Sequence, residues 1–174
     1  MKTVGTVRRI DDLGRIVLPK EIRKNLKIRD GESLEIFIED NNIILKKFSM
    51  MSNMYEISQM LCDTMYELNN KNIIITDRDK VIAVSANLKK QYLNKEISIH
   101  LENIIKRRES FNEKQNGIQV ILDEKENNNY IISSIILNGD IIGLILILSN
   151  NETDDFNKKI SNFISKIISN MVTS

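Results

Sequence analysis

The chain has 174 residues, 41% of them hydrophobic, enough for one medium domain or two small ones. Its single cysteine, Cys62, excludes an intrachain disulfide framework and fits a reduced compartment, and its longest apolar run, residues 141–148, is too short to cross a bilayer as a helix. Net charge is only +1, yet residues 1–29 hold nine Lys/Arg against three Asp/Glu, a balance of +6, while the remainder holds 16 against 21, a balance of −5; this asymmetry predicts a polyanion-binding head on a mildly acidic body.

The head is read first. Ile10 and Ile16-Val17-Leu18 are short β-prone runs, and Asp11-Asp12-Leu13-Gly14 between them has turn chemistry, with Gly14 free to take positive φ. Pro19 pushes Leu18 toward extended geometry and suits the first position of a helix, so a strand should end there and a helix should run from about Pro19 to Lys27. On that helix Lys20, Arg23, Lys24 and Lys27 fall within a sector of roughly 100°, opposite Ile22 and Leu26. Arg8, Arg9 and Arg15 lie on the strands leading into it. So many cations on one hairpin and one helix suit the spaced phosphates of a nucleic acid. A solvated basic face has the same pattern, and charge alone leaves both readings open.

After a turn at Arg29-Asp30-Gly31-Glu32, Leu34, Ile36 and Ile38 alternate with Glu35, Phe37 and Glu39, the period of a half-buried strand. Asp40-Asn41-Asn42 turns the chain into a second strand from Ile43 to Phe48. A unit of this size buries too little surface to stand alone without staples. With no disulfide and no Cys/His cluster for a metal, self-association is the remaining expectation. In residues 50–69, Met50, Met54, Ile57, Leu61, Met65 and Leu68 recur at steps of three and four. That seam fits a short coiled coil, or an amphipathic helix packed on its own C-terminal domain.

Residues 71–174 read as an α+β domain. Strands are expected at 72–76, 81–86, 118–122, 130–137 and 141–148, with Asn138-Gly139-Asp140 as a hairpin turn between the last two. Residues 97–108 read as a helix, 124–129 as an exposed polar loop, and the end of the chain as a helix striped by Ile160, Phe163, Ile164, Ile167, Ile168 and Met171. The expected architecture is a mostly antiparallel sheet covered on one face. No phosphate-binding glycine loop, metal-ligand spacing or nucleophile elbow is visible. His100 stands alone, Cys62 reads as a small apolar residue, and Lys106-Arg107-Arg108 reads as a solvated helix end. The expectation is a non-enzymatic protein with no cofactor and no metal. No secretory signal pattern is visible, so a soluble cytoplasmic protein is expected.

The stretch Gly5-x-Val7-Arg8-Arg9-Ile10-Asp11-Asp12-Leu13-Gly14-Arg15-Ile16-Val17-Leu18-Pro19-x-Glu21-Ile22-Arg23, continued by Gly31-x-x-Leu34-Glu35-Ile36-Phe37 and Ile43 to Phe48, resembles the N-terminal domain of AbrB-type transition-state regulators. The resemblance implies a swapped-hairpin β-barrel made by two chains and double-stranded DNA as partner. It also implies DNA contacts at Arg8, Arg15, Arg23 and Lys24, the last better cast as a phosphate contact because lysine lacks bidentate geometry. Arg9, Lys20 and Lys27 add backbone charge in this reading. The whole layout resembles the stage V sporulation protein T family: a DNA-binding domain at 1–52, a helical linker at 53–70 and a GAF-like domain at 71–174. Asp77-Arg78-Asp79 and Tyr92-Leu93-Asn94-Lys95 carry the C-terminal part of the likeness. This implies a homotetramer, a dimer of dimers, that regulates late sporulation genes in the forespore, with the GAF-like domain open to a small-molecule ligand. Many GAF domains that bind cyclic nucleotides share a motif beginning Asn-Lys and ending Phe-Asp-Glu. Here Asn94-Lys95 is present and the Phe-Asp-Glu part is not, so cyclic nucleotides are not expected to bind. The same barrel occurs in antitoxins, and an antitoxin-like partner protein is the alternative function. Those proteins usually carry a disordered toxin-binding tail, which the apolar C-terminal half here does not resemble.

Overall fold

A computed structural model describes residues 5–51, 54–107, 110–124, 128–149 and 155–172. The chain divides into two compact units, residues 1–48 and 49–174.

In the first unit, Asp11 and Arg15 close a turn. The Gly14 N–H donates to the Asp11 carbonyl (2.9 Å) and the Asp11 N–H to the Arg15 carbonyl (3.1 Å), with Gly14 at φ 75°. Among the described residues the strands expected around Ile10 and Ile16–Leu18 do not form, because a ladder needs a neighbour and this segment has none among them beyond the turn itself. Helix α1 (Lys20–Asn25) starts directly after Pro19 and is shorter than expected. Lys27 takes φ 51°, its N–H donates to Lys24 O (3.2 Å) and the Ile28 N–H reaches back to Arg23 O (2.8 Å). This is the left-handed helix stop usually made by glycine, so Lys27 leaves the helical face shared by Lys20, Arg23 and Lys24. Strands β1 (Leu34–Glu39) and β2 (Asn42–Lys47) pair antiparallel from Leu34↔Lys47 to Glu39↔Asn42. Asp40 and Asn41 form the two-residue loop, both at positive φ, which matches the right-handed twist of the strands. Among the described residues of this unit only Pro19 is buried. Ile36, Ile38 and Ile43 are 68%, 83% and 71% exposed. Such side chains each forgo roughly 1.5–3 kcal/mol of burial free energy.

The second unit is a five-stranded antiparallel sheet in the order β4-β3-β7-β6-β5. Its strands are β3 (Ile73–Thr76), β4 (Val81–Val84), β5 (Asn112–Ile118), β6 (Asn128–Leu137) and β7 (Asp140–Leu148). The expected antiparallel sheet with flanking helices is therefore present. Its helices cover both faces, where cover on one face was expected. On one face, Met51, Cys62 of α2 (Tyr55–Asn69), and Ile164 and Ile168 of α5 (Asp155–Val172) pack with Ile73, Ile75, Ile145 and Ile147. On the other, Tyr92 of α3 (Lys89–Tyr92) and Leu101, Ile104 and Ile105 of α4 (Ile99–Lys106) pack with Ile74, Ile132, Leu144 and Leu146. The central strands have no polar side to show to water: β3 reads Ile-Ile-Ile-Thr and is buried at every position. That composition demands a second layer.

Three further expectations change. The strand expected at 118–122 lies earlier, on the polar segment Asn112–Ile118. This is the sheet edge, where polar residues are tolerated and discourage pairing with other chains; Ile118, Val120 and Ile121 turn into the core instead. The polar segment 124–129 is not one exposed loop. Glu124 is buried, and its carboxylate accepts from the Tyr92 hydroxyl and the Val120 N–H, while Asn128 and Asn129 already belong to β6; residues 125–127 lie outside the described residues. The stripe on α5 is wider than the sheet can cover: Ile164 and Ile168 are buried, but Phe163 is 65% exposed and Met171 is exposed too. Toward β6 the helix buries Asn157, Ser161 and Ser165, with Ser161 Oγ 2.6 Å from Ser133 Oγ. Helix α2 lies on its own sheet through Ser58 and Cys62, and Ile57, Leu61 and Met65 of the seam are half-buried. Of the Lys106-Arg107-Arg108 cluster, Lys106 pairs with Glu102 (3.4 Å), and Arg108 lies outside the described residues.

Candidate nucleic-acid interface

The basic residues of the first unit sort by what holds them. Arg8 and Arg9 are exposed in the extended segment before the turn. Arg15 is exposed and pinned: Asp11 Oδ2 accepts from its Nε at 2.7 Å, while Asp11 Oδ1 accepts the backbone N–H of Leu13 (3.0 Å) and of Arg15 (2.8 Å). The Arg15 backbone N–H, and then its guanidinium, hold the Asp11 carboxyl below the usual carboxylate range. On α1, Lys20 and Lys24 are exposed and Arg23 is half-buried. Arg23 Nη1 bonds Asp30 Oδ1 at 2.7 Å, and the Asp30 side chain is 94% exposed. A pair this open is worth about 0–1 kcal/mol and can exchange its carboxylate for a phosphate at little cost. Lys20, Arg23 and Lys24, at i, i+3 and i+4, share one face of α1. Lys27 sits past the helix end, and its carbonyl accepts from Lys47 Nζ at 3.0 Å.

Arg29 belongs to a different group. Its Nη1 bonds Glu32 Oε1 (3.1 Å), and Lys47 Nζ lies 3.4 Å from Glu32 Oε2. The Glu32 side chain is only 7% exposed, so these two cations neutralise it and tie the helix exit to β2. Counting charge in the sequence cannot separate such inward cations from outward ones. Sequence reasoning placed Asp11 and Asp30 in turns, at Asp11-Asp12-Leu13-Gly14 and Arg29-Asp30-Gly31-Glu32, and gave neither a role toward the arginines.

In the second unit a cleft of about 420 Å³ is lined by Ser98, Ile99, His100, Gly117, Ile118, Gln119 and Leu122. Ser98 Oγ caps α4 by accepting the Leu101 N–H (3.3 Å). Asn94 and Lys95 do not line this cleft; the Asn94 N–H donates to Val81 O (3.0 Å) and Lys95 O accepts from Val81 N–H (2.9 Å), edging β4. No cluster of His, Cys, Asp or Glu able to hold a metal occurs among the described residues, and no described helix is long and apolar enough to cross a membrane.

Comparison with known proteins covers both units. The family model described as "Stage V sporulation protein T C-terminal, transcription factor" matches residues 53–172, and that of "Antidote-toxin recognition MazE, bacterial antitoxin" matches residues 7–49. Stage V sporulation protein T of Bacillus subtilis is 45% identical over 157 residues, covering 88% of this chain and 88% of that protein. The transition state regulatory protein AbrB of the same organism is 38% identical over 73 residues, 42% of this chain and 68% of that protein. Among solved structures, residues 122 to 287 of a methyl-accepting chemotaxis protein superpose with a TM-score of 0.52 at 11% identity, covering 68% of this chain and 88% of that one; this likeness is one of fold alone. With a basic AbrB-type head on the matching regulatory unit, the chain belongs to the stage V sporulation protein T family of transcription factors.

Proposed function

We propose that the chain is a homotetrameric, sequence-specific regulator that binds double-stranded DNA through paired N-terminal heads and controls late sporulation genes in the forespore cytoplasm. One observation carries the reading: the head exposes cations and isoleucines together. The isoleucines of β1 and β2 are left bare, which a second copy of the hairpin would cover. The cations of the turn and of α1 remain outward for phosphate and base contacts. Arg8, Arg15 and Arg23 are the principal DNA contacts, with Lys24 on a phosphate and Arg9, Lys20 and Lys27 adding backbone charge. The cleft beside Ser98 and Gln119 is the place in the second unit for a small-molecule effector. The antitoxin match over 7–49 supports the barrel rather than a toxin partner, since the rest of the chain forms a folded sheet where antitoxins usually carry a tail.

The test is a salt titration of DNA binding for Arg8→Ala, Arg15→Ala, Arg23→Ala and Lys24→Ala, beside thermal melts and size analysis. Removing a phosphate contact should flatten the slope of log affinity against log salt by roughly 0.9 per contact on each bound chain. Removing a base reader should cost about 1–3 kcal/mol and relax preference at one position. Folding and oligomer state should be kept, because these side chains are outside any core. Four variants that bind like the parent, or that lose binding by unfolding, would overturn the assignment.

A further inference from the structure

Three arginines are proposed to touch DNA, and the structure treats them differently. Asp11 uses both carboxylate oxygens on one residue: Oδ1 holds the Arg15 backbone N–H at 2.8 Å and Oδ2 holds its Nε at 2.7 Å. The backbone of Arg15 is fixed a second time by its carbonyl, which accepts the Asp11 N–H. The guanidinium is thus held at Nε alone, with the Arg15 side chain 72% and the Asp11 side chain 43% exposed. Its two η nitrogens, the outer edge of the fork, make no hydrogen bond to any described residue. Arg23 is held in the opposite sense. Asp30 takes one of its η nitrogens, so that fork must first let go before it can offer two parallel donors.

A guanidinium whose η donor already sits on an exposed carboxylate can exchange that carboxylate for a phosphate. One pinned at Nε presents both η donors in a set plane, the geometry of bidentate hydrogen bonding to O6 and N7 of guanine. We infer that Asp11 is a positioning residue for base recognition: it orients Arg15 to read a guanine edge, whereas Arg23 contacts phosphate. The inference rests on the proposal that the head binds duplex DNA.

Charge counting predicts the opposite sign for Asp11. A carboxylate beside a polyanion repels it, so removing that charge should tighten binding to every duplex alike. Positioning predicts that binding to the preferred site weakens relative to other sequences.

The experiment uses the intact chain, its preferred duplex identified by mapping bound sites, and a scrambled duplex of equal length. Each guanine of the preferred duplex is replaced in turn by 7-deazaguanine, which removes the N7 acceptor. In the parent, one guanine per half-site should be sensitive by roughly fivefold or more. Arg15→Ala and Asp11→Asn should both abolish that sensitivity and lower the ratio of preferred to scrambled affinity. Asp11→Asn keeps an oxygen to accept the turn N–H groups, and its affinity for the scrambled duplex should be equal to or higher than the parent's. Added to Arg15→Ala, Asp11→Asn should change the ratio by less than about twofold, because it acts through Arg15; a purely structural role in the turn would lower the ratio in both backgrounds. If Asp11→Asn keeps the parent's ratio and guanine sensitivity while Arg15→Ala loses them, or if no guanine is sensitive in the parent, the inference is overturned and DNA binding by the head stands. If Arg15→Ala binds both duplexes like the parent, the proposed role of Arg15 at the DNA falls, and the inference with it.

Discussion

Gly143→Ala should destabilise the second unit and leave the DNA-binding head untouched. Gly143 lies in β7, opposite Ile135 and next to a register shift between Ile135 and Ile136. The residues of β7 facing one core are Ile141, Leu144 and Leu146, and those facing the other are Ile142, Ile145 and Ile147, so the alternation slips by one at Gly143. A Cβ there would stand 2.2 Å from the Thr76 carbonyl oxygen, against the 3.0 Å that real Cβ contacts keep, so the two must part by about 0.8 Å. The obstacle is backbone in a strand bonded on both sides, to β4 and to β7, and Thr76 Oγ1 also accepts the Leu144 N–H at 3.2 Å. Overpacking of this kind costs about 1–3 kcal/mol, and immobile backbone argues for the upper end. For a unit of this size each kcal/mol lowers the melting temperature by about 3–6 °C, so the unit should melt about 10 °C earlier. Calorimetry of the full chain is the assay, with affinity for DNA at 25 °C measured alongside. Gly5→Ala, where nothing lies within 4 Å of the new methyl, is the control. A Gly143→Ala melt within about 2 °C of the parent would show that β7 yields easily there and would refute the reasoning.

Cys62 is fully buried, and burial, followed by the nearby Asp63 charge, pushes its thiol above the ordinary range. It should resist iodoacetamide in the folded chain at neutral pH and react readily in denaturant; rapid stoichiometric labelling of the native chain would mean that α2 lifts off the sheet. Light scattering of the intact chain should return a tetramer mass, and a monodisperse monomer would remove the basis for pairing bare isoleucines between copies.

The elements whose residues obey one local rule were legible. The Asp40-Asn41 loop, the hairpin at Asn138-Gly139 and the helix start at Pro19 each follow from backbone chemistry within a few residues. Helix α1 ended early because Lys27 took a left-handed conformation usually filled by glycine, and periodicity carries no signal for that. The edge strand β5 escaped because it is polar: its pairing with β6 comes from the sheet's geometry, and no apolar run marks it. Glu124 escaped for the converse reason. In a stretch that reads as solvated, the Glu124 carboxyl turns inward to meet the backbone N–H groups of Val120 and Ile121 and the distant Tyr92 hydroxyl, and that last partner, 32 positions away, leaves no trace in neighbouring positions. At the candidate interface the basic residue types were readable, and so was the turn. What separates Arg15 from Arg23 is which nitrogen meets which carboxylate, and that exists only in three dimensions.

The strand order has a consequence for synthesis. β3 is made early, yet its inner partner is β7, and Thr76 and Leu144 are 68 positions apart. At roughly 5–20 residues per second on the ribosome, the wait between them is about 3–14 s. During it β3 has only β4 beside it, and an isolated two-stranded hairpin is marginal in water. Helices α2, α3 and α4 are made before β7 and can lie against the three isoleucines of β3, but their strand neighbours Ile147, Leu146 and Ile145 are missing until the last strand emerges and the sheet closes from the middle. The residues of the head are all made before β3 exists, with the isoleucines of β1 and β2 still exposed. Each nascent chain therefore carries two incomplete apolar surfaces at once, the bare isoleucines of its head and a sheet that still waits for its last strand.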